Sequence, residues 1–248
     1  MSAVIGPLLG AGRVAEAFQY GEHVLKLYRD PAARSQAFAE AAILAIVGQL
    51  SLPVPAIYEA GQYAGRWGLV MGRAEGQSLG ALAEADPDRI PVLLESMVQL
   101  QLAVHAAAES RLVPLKRRLA ERIARASGLE GEREALLRTL AGLPDGNRLC
   151  HGDFHPYNLI GAPGATTIVD WPDATSGPPV ADACRSYLLL LPHIPDLAAA
   201  YLAAYARASG LTEADILLWL PVMAAARLSD NVPGEEALLR RIVAGAHI

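Results

Sequence analysis

At 248 residues, 52% of them apolar and 19% charged, the chain is long enough to bury a large core and too apolar to be disordered. A net charge of −5 gives no basic surface with which to displace counterions from a polyanion, which argues against a nucleic-acid partner and is compatible with a cationic small ligand. Two cysteines, Cys150 and Cys184, make neither a disulfide framework nor a zinc site and read as buried thiols. The apolar runs stop short of a membrane span, at Pro192 after Tyr187 to Leu191 and at Gly48 after Ala41 to Val47. The opening twelve residues lack the basic segment of a secretory signal, so no membrane partner and a cytoplasmic location are expected.

In chain order, Leu8 to Tyr28 reads as two strands around the turn Gly21-Glu22, the second being His23-Val24-Leu25-Lys26-Leu27-Tyr28. Asp30-Pro31 offers an N-cap and a first-turn proline for a helix through Phe38, Ala41, Leu44 and Val47 to Gly48. Ala56 to Ala60 and Gly68 to Met71 read as strands separated by Gly61 to Gly65. Beyond Gly76 the pattern is helical. Asp86-Pro87 opens a long helix past His105, and Leu115 to Ala126 and Glu132 to Leu140 follow as amphipathic helices with basic outer faces. After a loop-rich stretch from Cys150 to Asp170 come helices at Pro179 to Leu191, Leu197 to Ala208, Leu211 to Leu228 and from Glu235. Thr212 and Asp215 are placed as N-cap and N3 partners of the third of these. The expected fold class is α+β. A small antiparallel-sheet amino lobe with one helix, residues 1–75, precedes a mainly helical carboxyl lobe, residues 76–248.

The stretch CHGDFHPYNLIGAPGATTIVD, from Cys150 to Asp170, carries the chemistry. Asp153 sits on a short loop, Asn158 follows five positions later, and Asp170 closes an apolar strand. One carboxylate to accept a proton, one amide oxygen and one further carboxylate are what is needed to orient a hydroxyl and hold magnesium on a nucleotide. Lys26 stands within an apolar strand, where an ammonium is costly unless it is paired or reaches water. Glu40 is the only acid between Pro31 and Leu52. Gly10-Ala11-Gly12-Arg13-Val14-Ala15 supplies the first two glycines of G-x-G-x-x-G and puts Ala15 at the third. A strand follows it rather than a helix, which suits a cover over phosphates or an ordinary hairpin, not a dinucleotide site.

His151-Gly152-Asp153-Phe154-His155-Pro156-Tyr157-Asn158 and Val169-Asp170-Trp171 together resemble the H-G-D-x-H-x-x-N and I/V-D-W motifs of the aminoglycoside phosphotransferase family, the small-molecule branch of the protein-kinase-like fold. The resemblance implies a small-molecule kinase with ATP or GTP and Mg²⁺ as cofactors, a small hydroxylated molecule as its partner substrate, and these roles. Asp153 is the base, Asn158 and Asp170 hold the metal, and Lys26, paired to Glu40, grips the phosphates. Gly10 and Gly12 cover the phosphates, and a hinge from Met71 through Arg73 to Gly76 meets the adenine. His151 and His155 become structural, with ring nitrogens bonded to loop backbone. Gly177-Pro178-Pro179-Val180-Ala181-Asp182 resembles the family's G-x-P-x-x-D, whose acid braces the catalytic loop. Asp173 could face substrate, and Asp230, Glu235 and Glu236 could form an acidic rim. Two other readings are a nucleotide-binding module without turnover and a metal-dependent phosphoesterase built on His151, Asp153 and His155. The acceptor and the oligomeric state are not legible.

Overall fold

The computed structural model of the protein describes residues 4–245, and its chain divides into two compact units, one of residues 1–85 with 157–172 and one of residues 86–156 with 173–248. The division differs from the expected boundary at residue 75 because a later hairpin returns to pack with the amino-terminal elements. Among the described residues no helix is long and apolar enough to cross a membrane.

In the first unit, β1 (Leu8–Ala11), β2 (Ala15–Tyr20) and β3 (His23–Tyr28) form a meander. Helix α1 (Arg34–Val47) leads to β4 (Ile57–Tyr63) and β5 (Arg66–Met71), and all strands pair antiparallel in the order β1-β2-β3-β5-β4. Period-two alternation sends Leu25 and Leu27 of β3 into an apolar cluster with Val70, while Lys26 and Tyr28 face the opposite side. α1 begins three residues later than Asp30-Pro31 suggests. Asp30 Oδ1 instead accepts from the Ala32 amide at 2.8 Å, a local turn that competes with capping. A short helix, α2 (Leu79–Ala85), stands where none was expected, and Ser78 Oγ caps it by accepting from the Ala81 amide at 3.1 Å.

The second unit begins with a single 3₁₀ turn at Pro87–Arg89 and continues as α3 (Ile90–Ala106), α4 (Leu115–Arg125), α5 (Arg133–Gly142) and β6 (Arg148–Cys150). The chain then returns to the first unit for the hairpin β7 (Leu159–Ala162) and β8 (Ala165–Ile168), whose Ile168 amide donates to Pro53 at 2.7 Å. Back in the second unit, β9 (Thr175–Gly177) pairs antiparallel with β6, followed by α6 (Pro179–Leu190) and α7 (Pro195–Ser209). The expected helix from Leu211 to Leu228 is two, α8 (Glu213–Leu217) and α9 (Leu220–Leu228). Pro221 explains the break, since its ring carries no amide hydrogen for a continuing helix. Thr212 and Asp215 form the capping box at the start of α8, and α10 (Glu236–Val243) is the last described helix. Both cysteines are buried, and burial pushes both thiols up.

Candidate active site

The first unit holds a three-way ion cluster. Lys26 Nζ on β3 lies 2.7 and 2.8 Å from the two carboxylate oxygens of Glu40 on α1, and 2.7 Å from Asp170 Oδ1. Glu40 is only 2% exposed, and the Tyr28 hydroxyl, two residues along the same strand face as Lys26, donates to its second oxygen. Burial alone would lower the Lys26 pKa, but Glu40 and Asp170 outweigh it and raise the value, so the ammonium stays charged. Burial, with Glu40 beside it, pushes the Tyr28 phenol up and keeps it a donor.

Asn158 and Asp170 flank the β7–β8 hairpin. The pairing of Leu159 with Ile168 brings its two ends together, and the Val169 amide donates to the Asn158 carbonyl at 2.9 Å. Asp170 has a left-handed backbone, φ 67°, which is costly for a residue with a Cβ and marks a constrained position. Its carboxylate is 42% exposed, whereas Asn158 is largely buried. One amide and one carboxylate at adjoining hairpin ends are hard oxygen donors of the kind magnesium takes when phosphates and water complete its shell. Among the described residues no group of three or more His, Cys, Asp or Glu is arranged to hold a metal.

The other expected residues of this unit are ordinary in their local structure. Gly10 and Gly12 lie at the exposed β1–β2 turn, where a Cβ would meet nothing at Gly10 and only the Ala15 carbonyl, at 3.4 Å, at Gly12. The turn itself therefore does not demand glycine. Met71 ends β5 and is buried, the Gly72 amide donates to the Ala56 carbonyl, and Arg73 Nε lies 3.3 Å from Glu75.

The second unit carries Asp153 on the loop after β6. Asp182 at the start of α6, 1% exposed, fixes that loop by accepting from the amides of His151 at 3.1 Å and Gly152 at 2.7 Å. His105 Nε2 lies 3.0 Å and Gln101 Nε2 3.3 Å from the same carboxylate. Gly152 must be glycine, since its φ is 82° and a Cβ would lie 2.4 Å from the Asp173 carbonyl oxygen. The Asp153 amide donates to His151 Nδ1 at 3.2 Å, so that histidine does bond to loop backbone. His155 Nε2 faces Asp153 Oδ2 at 3.4 Å. Burial would raise the Asp153 pKa. The His155 hydrogen bond and charge, with Arg185 and His151, more than reverse this and hold the carboxyl well below its usual range. Asp153 is thus ionised and able to accept a proton.

The expected acidic surroundings are changed by arginines. Asp173 accepts from Arg118 at 3.1 Å and from Arg122 at 2.5 Å. Asp230 lies 3.2 Å from Arg227, 3.5 Å from Arg185 and 3.8 Å from Arg122. Glu235 is buried against Arg227 at 2.7 Å, and Glu236 pairs with Arg240 at 2.9 Å. Arg118 and Arg122 belong to α4, so its basic residues are not all on an outer face. Tyr28 and these arginines were not singled out in the sequence. The same-face spacing of Tyr28 to Lys26 was a usable signal, but the arginines offered none.

A β-sheet unit with a buried Lys–Glu pair, and a helical unit whose Asp153 loop is braced by a buried acid, are the parts of a kinase-like fold. The phosphotransferase enzyme family model matches residues 16–219, most of the chain, and the protein belongs to that family. No match is found among the curated proteins. Solved structures agree on the fold. A thermostable mutant of the aminoglycoside phosphotransferase APH(4)-Ia superposes with TM-score 0.66 at 17% identity, covering 98% of this chain and 89% of that one. An aminoglycoside-3'-phosphotransferase of type VIII gives 0.64 at 19% identity, with 92% of each chain covered. The choline kinase LicA from Streptococcus pneumoniae gives 0.64 at 14% identity, covering 98% and 93%.

Proposed function

We propose that the protein is a small-molecule kinase that transfers the γ-phosphoryl group of ATP or GTP to a hydroxyl of a small polar acceptor. The observation that carries this reading is the buried Lys26–Glu40 pair with Asp170 on the same ammonium, in a chain of the phosphotransferase family. Lys26 binds the phosphates, and Glu40 fixes where its ammonium points. Asn158 and Asp170 are the residues that would hold Mg²⁺, which would neutralise charge on the phosphates. Gly10 and Gly12 lie over the phosphates, and Met71 and Arg73 offer backbone to the base. Asp153 accepts the acceptor's hydroxyl proton as the oxygen bonds to the γ-phosphorus; the bond from that phosphorus to the β–γ bridging oxygen breaks, and the nucleoside diphosphate leaves. Nucleotide use is supported by the related structures, since APH(4)-Ia was crystallised with ADP and hygromycin B and LicA with AMP.

Asp153→Asn tests the mechanism. Turnover, read as ADP release, is expected to fall by about 10²–10⁴-fold. The rise in melting temperature with Mg-ATP is expected to persist, because this residue does not hold the nucleotide. Undiminished turnover would remove Asp153 as the base. Absence of both turnover and a nucleotide-dependent shift in the wild type would remove the kinase itself.

A further inference from the structure

We propose that the acceptor is an anion: a hydroxylated molecule whose carboxylate or phosphate is read by arginines of the helical unit, chiefly Arg118 and Arg122. This rests on the kinase reading above and names the substrate class of that site.

Three helices send guanidinium groups toward the loop of Asp153. Arg118 and Arg122 stand one turn apart on α4, next to the buried stripe of Leu115, Leu119 and Ile123. Arg185 comes from α6 and is 5% exposed, with Nε donating to the Gly152 carbonyl at 3.2 Å. Arg227 comes from α9. An arginine is rarely buried unless it has charge to meet. Here the carboxylates are shared, Asp173 between Arg118 and Arg122, and Asp230 among Arg122, Arg185 and Arg227.

Four guanidiniums stand here with the carboxylates of Asp173, Asp182, Asp230 and Glu235, and a fifth carboxylate is Asp153. Asp153 is within electrostatic reach of Arg122, Arg185 and Arg227. When it takes the hydroxyl proton, one negative charge moves from Asp153 onto the acceptor oxygen, and the guanidiniums face one carboxylate fewer. At the cavity lined by Arg118, Arg122 and Arg185, these three guanidiniums outnumber the two carboxylates of Asp173 and Asp182, so a cationic end of the acceptor would be repelled there and an anionic end attracted. The tuning of Arg185 agrees: burial first, then Arg227, depress its pKa despite the acids nearby.

Arg118, Arg122 and Arg185 line this cavity with Gly152, Asp173 and Asp182. Its volume of about 20 Å³ suffices for one oxygen-sized group, so it would receive the end of an acceptor and not its body. Planar guanidiniums bind carboxylate and phosphate oxygens in fork geometry, which suits such an end. The acidic rim that would favour an amine-rich acceptor is absent here in effect, because Asp230 and Glu235 are each held by arginine.

The test uses the full chain and four probes: D-glycerate and glycerol 3-phosphate as anions, choline and hygromycin B as cations. Thermal shifts are measured first without nucleotide, then ADP release with Mg-ATP. The expected result is stabilisation and turnover with at least one anion. The glycerate and glycerol 3-phosphate arms tell whether carboxylate or phosphate is preferred. Arg118→Gln should raise the anion's KM roughly ten- to hundredfold, the worth of a charged hydrogen bond, with little change in kcat. Arg118→Lys should recover part of that loss. Stabilisation by choline or hygromycin B alone, by no probe, or by an anion equally in wild type and Arg118→Gln would overturn the proposal. Failure of the kinase reading looks different. No probe would then release ADP and Mg-ATP would not stabilise the protein, while the anion-dependent shift and its loss in Arg118→Gln would still decide the arginine site.

Discussion

Glu40 in the first unit and Asp182 in the second are both almost fully buried carboxylates, yet they are satisfied by opposite means. Glu40 is met by an ammonium and a phenol, so its charge is answered by another side chain's charge. Asp182 is met by two backbone amides, a histidine ring and a carboxamide. The first arrangement fixes a cation and leaves the backbone alone. The second fixes a loop, because amides of consecutive residues can both reach one carboxylate only when the chain turns there. A buried acid therefore reports on what it holds, and the two units hold different things: a paired ammonium in one, the geometry of the Asp153 loop in the other.

The contrast is broken most forcefully at Asp182. Asp182→Asn replaces an acceptor oxygen with an amide nitrogen facing backbone donors, and should cost about 3–5 kcal/mol in denaturant unfolding. Its pKa is informative as well. Burial would raise it, but His105, His151 and the Gly152 amide bring it below the usual carboxylate value. A depressed folded pKa contributes stability that is complete above the unfolded value of about 3.9 and is lost as pH falls beneath it. The stability gap between wild type and Asp182→Asn should thus be flat above about pH 5 and shrink below pH 4. A gap that widens on acidification would show that the carboxylate is not ionised in the native state.

Glu40→Gln should do less to the fold and more to the ligand. Lys26 keeps Asp170 at 2.7 Å as a partner, so the loss in stability should be about 2–3 kcal/mol, short of the full cost of breaking a buried pair. The ammonium would then be drawn toward Asp170 alone, and the Mg-ATP-dependent rise in melting temperature should diminish. If Glu40→Gln and Asp182→Asn gave the same stability loss and the same nucleotide response, the two acids would not differ in role.

Why the local patterns of both units were readable in the sequence and the arginine cluster of the second was not follows from how each is built. Lys26 stands out because Leu25 and Leu27 flank it with apolar surface, and Glu40 because no other acid is available on the adjoining helix. The β7–β8 hairpin lies in one continuous segment, so the spacing of Asn158 and Asp170 survives in the chain. The capping box at Thr212 and the bracing acid at Asp182 were likewise local patterns. Arg118, Arg122, Arg185 and Arg227 come from three helices, and on each a charged residue looks like a solvated face until packing turns it inward. Pro221 could have shown that Leu211 to Leu228 is two helices; alanine-rich periodicity concealed it. Asp30 was misjudged as a helix cap because an acid before proline satisfies either a cap or a local turn, and only the backbone decides.

The smallest expected effect isolates the phenol in the first unit. Tyr28→Phe removes one donor from Glu40 and almost no volume, leaving both oxygens of Glu40 within 2.8 Å of Lys26. A hydrogen bond to a charged, buried acceptor is worth about 1.5 kcal/mol or somewhat more, and that loss should appear in denaturant unfolding. Nucleotide stabilisation should be nearly unchanged if the lysine alone orients the carboxylate. A reduced Mg-ATP shift in Tyr28→Phe would instead mean that the carboxylate turns when the phenol is lost and takes the ammonium with it. Tyr28 would then be a positioning residue for the phosphate site, and Glu40 would resemble Asp182 more closely than its partners suggest: an acid whose value lies in the direction it is held.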